Sequence, residues 1–186
     1  MLLVYLVVWS SMFRLYDLVT APGEFGAWDG LAEAALPIAA AWVLYTRLAT
    51  GWDRRWCRRI AGDTGVRIAR VLYGLALIPF GLAHFLYLDR TVSMVPSWLP
   101  AHMALACFTG GAFIAASVAI VVGICARWAA ALSALEMGLV TVLVWIPIMW
   151  QRSLDPFEWI EVGASVALTA AGWVVAESYR GPSPAR

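Results

Sequence analysis

Apolar residues run along this chain in six long stretches separated by short polar gaps. The pattern predicts helices at about 2–19, 32–50, 68–88, 102–125, 128–150 and 158–177. Each is near the roughly 20 residues an α-helix needs to cross a hydrocarbon layer of about 30 Å. The expected fold is therefore an all-α integral membrane protein with six transmembrane helices. The predicted segments are an N-terminal hairpin at 1–50, a polar connection at 51–67, a four-helix part at 68–177 and a short tail at 178–186.

Charge supplies an orientation. All 13 basic residues are Arg, and they are sorted by gap. Arg47, Arg54, Arg55, Arg58, Arg59, Arg67, Arg70, Arg127, Arg180 and Arg186 fall in alternate gaps or flank the adjoining helix ends. The other gaps hold Arg90 and Arg152, together with Glu24, Asp29, Asp89 and Asp155, while Arg14 lies within the first stretch. A positive bias of this kind places the arginine-rich side in the cytoplasm, so both termini are expected there in a bacterial inner membrane. Trp28, Trp98, Trp150 and Trp159 then mark the outer interface, and Trp52, Trp56 and Trp128 the inner one.

Composition narrows the function. Of 186 residues, 62% are hydrophobic and 13% charged, against roughly half and a quarter in a soluble domain. Six spans leave no room for a nucleotide-binding fold or a nucleic-acid surface. Cys57, Cys107 and Cys125 form no CxxC pair. Cys107 and Cys125 are about 27 Å apart on one predicted helix, too far to bridge. In the outer gap Asp89–Ala101, Pro96 and Pro100 forbid a continued helix, and Val95, Trp98 and Leu99 keep the segment at the interface as a possible lid. The Trp-Asp-Arg-Arg-Trp-Cys-Arg-Arg run from Trp52 reads as an orientation anchor or a surface helix.

Ionisable groups inside a bilayer are costly, so each is a candidate site. Gly74, Gly81 and His84 share one helical face, and His102 opens the next helix, so antiparallel packing is expected to bring both histidines to the outer end. Ser10, Arg14 and Asp17 share a face, with Arg14 and Asp17 spaced to pair. Glu33 and Glu161 lie at the same depth. Glu136 sits deeper, on a stripe with Ala129 and Ser133, and is expected to be protonated or to bond Ser133 or a neighbouring helix. The outer group, with Trp98 above it, suits a polar headgroup such as a quinone. The plainer alternative is that these groups satisfy one another as packing contacts. Two histidines make too loose a set for haem or metal.

The ordered residues Arg70, Tyr73-Gly74, Pro79-Phe80-Gly81, His84-Phe85, Val95-Pro96-Ser97-Trp98-Leu99-Pro100, Thr109-Gly110, Arg127 with Ala129-Ala130, and Pro147 resemble the DoxX family of small bacterial membrane proteins. The resemblance runs from about Arg67 to Val175. It implies a four-helix bundle in spans three to six, with the first two spans as an added hairpin, and kinship with the small subunit of thiosulfate–quinone oxidoreductase. The expected function is a small membrane subunit of a quinone-linked redox complex, not catalytic alone, with quinone as the cofactor. Its expected partners are the bilayer and a soluble or membrane oxidoreductase subunit, with self-association open and no nucleic acid. Two alternatives stand beside it: a small-molecule transporter using Glu136 and the outer cluster, and an assembly factor without a ligand.

Overall fold

The computed structural model describes residues 1–51, 55, 57–151 and 153–180. Trp52, Trp56, Arg54, Arg152 and Arg186, together with most of the expected surface helix and tail, lie outside the described residues. Six helices are long and apolar enough to cross a membrane. In chain order the elements are α1 (Leu2–Thr20), α2 (Phe25–Leu48), α3 (Asp63–Leu86), the short α4 (Leu88–Met94), α5 (His102–Val122), α6 (Ala126–Val140), a π-helical turn (Thr141–Trp145), α7 (Ile146–Gln151) and α8 (Pro156–Ser178). The π turn and α7 continue α6 to complete the fifth span.

Local chemistry sets most of the ends. Asp155 accepts from the Glu158 backbone N–H at 2.8 Å, and the Glu158 carboxylate accepts from the Asp155 N–H at 3.0 Å, with Pro156 in the first helical position. Two orphan donors are thereby satisfied at the start of α8. Gly123, at φ +84°, closes α5 in a left-handed conformation that costs glycine little. α4 stops at Met94, two residues before Pro96. The π turn precedes Pro147, whose ring would press on the carbonyl of Leu143 in a regular helix. Widening the turn relieves that contact, and the Ile146 N–H bonds back to the Thr141 carbonyl, five residues away.

The helices form a ring. α2 packs on α1, α3 and α8; α3 packs on α5; α5 on α6; and α6 on α8. Leu36 and Ala39 of α2 enter the same core as Tyr73, Leu77, Phe113, Ala130 and Val175. α1 lies outside the ring, with Ser10 its one buried residue. Small residues permit this closeness. A Cβ on Gly81 would sit 2.8 Å from the Gly110 carbonyl, and one on Gly172 would sit 2.6 Å from Ala134 Cβ. Without a hydrophobic force between helices in lipid, such close approach is what joins them.

At the arginine-rich end, Arg70 caps the last turn of α8. Its Nε donates to Ser178 Oγ at 2.9 Å, its Nη2 donates to the Ser178 carbonyl, and the guanidinium lies 3.9 Å from the Tyr179 ring centre. Arg47 Nη2 donates to the Glu177 carbonyl at 2.6 Å. Positive groups suit a helix C-terminus, where the free carbonyls gather. Burial pushes the Tyr179 phenol above its ordinary pKa, and the Arg70 charge offsets part of that shift.

Candidate functional site

The end of the bundle opposite the arginines carries two separate polar groups where one was expected. The first lies between α1, α2 and α8. Arg14 Nη2 is 3.6 Å from Glu33 Oε2, with each side chain about one third exposed. Asp29 and Glu161 are near enough for their charges to act on the same group. One cation and three carboxylates thus gather in this group, with Arg14 in contact with Glu33. Arg14 crosses α2 over Gly30, where an added Cβ would be 2.9 Å from Nη1. A side chain there would displace the guanidinium.

The apolar pattern leaves Asp29 in the gap before the second span and so outside the expected group. The structure starts that helix at Phe25 and puts Asp29 one turn ahead of Glu33. The i, i+4 spacing of the two acids was the available signal. Asp17 does not pair with Arg14 as expected; it is exposed on α1, and Arg14 turns toward Glu33 on the neighbouring helix.

The second group is aromatic. His84 Nδ1 is 3.0 Å from the Phe80 carbonyl, one turn back on α3. A carbonyl only accepts, so Nδ1 carries the proton of that bond. The ring lies 5.9 Å from Phe80 and 5.5 Å from Phe113, which themselves meet edge-on at 5.0 Å. Nε2 has no partner among the described residues. Helix α3 reaches Phe113 here because Gly81 and Gly110 let α3 and α5 touch.

The expectation that His84 and His102 meet is corrected. His84 Cβ packs at the level of Gly110, roughly 12 Å along α5 from His102 at 1.5 Å per residue. His102 Nε2 turns back to the Pro96 carbonyl at 3.1 Å and pins the loop. Trp98, in that loop, is 65% exposed and covers neither group.

Of the expectations for Glu136, the bond to Ser133 is not formed. Ser133 bonds Tyr73 Oη at 3.0 Å and donates to the Ala130 carbonyl at 2.9 Å, so it is not the partner of Glu136. Glu136 Oε1 is buried without a hydrogen-bond partner among the described residues, one turn before the π segment.

Comparison with known proteins gives a partial family match and nothing finer. No curated protein and no solved structure matches the chain. Residues 65–145, which hold α3 through the π turn and therefore the His84–Phe113 group and Glu136, match DoxX. The Arg14–Glu33 group lies outside that match. Residues 65–145 are thus similar to the DoxX family, and the chain that carries them is a membrane protein with six helices long and apolar enough to span a bilayer among the described residues.

Proposed function

We propose that this chain is a small subunit of a quinone-linked redox complex in a bacterial inner membrane, with both termini cytoplasmic. The observation that carries the reading is His84. Its Nδ1–H is committed to the Phe80 carbonyl, its Nε2 is available, and two phenyl rings flank it. That combination suits a quinone headgroup, a flat ring with a hydrogen-bonding oxygen at its edge. Such a group takes up two electrons and two protons on reduction. In the neutral ring Nε2 is an acceptor, able to take a hydroxyl proton; in the imidazolium it donates to a carbonyl oxygen. His84 would thus hold a proton at Nε2 while Phe80 and Phe113 keep the ring in place and exclude water. A partner oxidoreductase subunit would provide or receive the electrons.

Protein purified from native membranes should retain quinone on lipid extraction, and His84→Ala should lower quinone affinity about tenfold while thermal stability is kept. Unchanged quinone content in a folded His84→Ala protein overturns the reading. The unpartnered Glu136 carboxyl beside a π turn favours a second one, a proton-coupled transporter. Glu136→Gln would then stop transport in proteoliposomes while quinone retention stayed unchanged.

A further inference from the structure

A large open cleft lies at the arginine-rich end, away from His84 and Glu136. It measures about 1150 Å³, and Arg47, Arg58, Arg67, Arg70 and Arg180 line it. Among the described residues, the carboxylates on its wall are Asp63 and Glu177. Glu177 is taken up by Arg180 at 3.0 Å. The arginines come from α2, the α2–α3 connection, α3 and the end of α8, so the fold and not one sequence run gathers them.

Two of these cations are fixed without being neutralised. Arg47 and Arg70 spend N–H donors on the neutral carbonyls of Glu177 and Ser178, and Arg70 also on the Ser178 hydroxyl. Each guanidinium has five N–H groups in a planar fork, so donors remain. Arg67 is exposed on α3. Arg58 is exposed two residues before Ile60, whose carbonyl accepts from Trp42 Nε1 at 2.9 Å. Neither has a partner among the described residues. Positive bias for orientation requires only that the charges be on one side; it does not require them to converge on a cleft.

We propose that this cleft binds a phosphate-bearing anion, with Arg58 and Arg67 closing on phosphate oxygens above the fixed forks of Arg47 and Arg70. Guanidinium forks match phosphate geometry in paired hydrogen bonds. The cleft opens where the helices leave the bilayer, so the phosphate can come from an anionic lipid headgroup or from a small soluble phosphate.

The full chain in nanodiscs separates the two sources. In phosphatidylcholine discs, inorganic pyrophosphate is titrated by calorimetry; in mixed discs, retained phosphatidylglycerol is counted by native mass spectrometry. Arg58→Gln and Arg67→Gln should each weaken whichever probe binds by about fivefold. Arg127→Gln is the control, because Arg127 lies at the same end beside Trp128, 5.5 Å away, but outside the cleft. Pyrophosphate binding lost in the cleft variants assigns a soluble ligand, and phosphatidylglycerol retention lost in them assigns a lipid. Binding of neither probe, or an equal loss in Arg127→Gln, overturns the proposal. A melting temperature within a degree or two of the parent's, expected because Arg58 and Arg67 have no partners among the described residues, shows that the variants are folded.

Discussion

At the scale of single residues, the glycines make the sharpest forecasts. Gly110 and Gly111 are adjacent on α5 but face different surroundings. A Cβ on Gly110 would lie 2.8 Å from His84 Cβ and 2.9 Å from the Gly81 carbonyl, whereas one on Gly111 meets nothing within 4 Å. Gly110→Ala should cost about 1–3 kcal/mol of stability, and Gly111→Ala close to nothing, in unfolding measurements in detergent. The His84 group should loosen with the first and not the second. Tyr73→Phe removes the buried bond to Ser133 and should cost about 0.6 kcal/mol, the usual value of an interhelical hydrogen bond in a membrane. A loss above about 2 kcal/mol would mean that the hydroxyl does more than join α3 to α6.

At the scale of elements, the ion-pair group joins α1 to the ring. Arg14 contacts Glu33 and its charge also acts on Asp29, so Arg14→Gln should destabilise more than Glu33→Gln does. Partial exposure limits the difference to roughly 1 kcal/mol, read from thermal melts of the two variants. The helices themselves were legible from the apolar runs, because spanning a bilayer demands length and hydrophobicity that little else mimics. Their ends were less so. Helix α2 begins seven residues before the predicted span, since Trp28, Asp29 and Gly30 interrupt hydropathy without interrupting the backbone. That shift hid Asp29. The partners of His102 and Glu136 were illegible for another reason: sequence spacing gives a face, and the choice among groups on that face is made by neighbouring helices. His102 had a loop carbonyl nearer than His84, and Ser133 had Tyr73.

At the scale of the whole molecule, the arginine bias supports the proposed orientation, and topology reporters test it. With ten of the thirteen Arg assigned to one side, a reporter fused after Arg186 should give a cytoplasmic signal, and a cysteine introduced at Arg59 should resist an impermeant reagent applied from outside. Labelling from outside would invert the assignment of both the His84 group and the arginine cleft. The sequence also placed the family resemblance in spans three to six, but it did not show that α2 would be a wall of the same ring. Leu36 is fully buried, and nothing in a uniformly apolar helix says which neighbour will cover it.

The packing of α2 against both α3 and α8 has a consequence for how the molecule is made. Synthesis delivers α2 well before α8, yet they are neighbours, and the Arg47–Glu177 bond ties residues 130 positions apart. The ring therefore closes only when the final span arrives, a long-range step that is slow in folding terms. Until then one side of α2 stands open to lipid or to any quality-control protease that reads unfinished membrane proteins. A chain cut in the 51–62 connection and expressed as two pieces should accumulate only when both are made together. Ribosome stalling before α8 should leave a product that is inserted and still readily degraded.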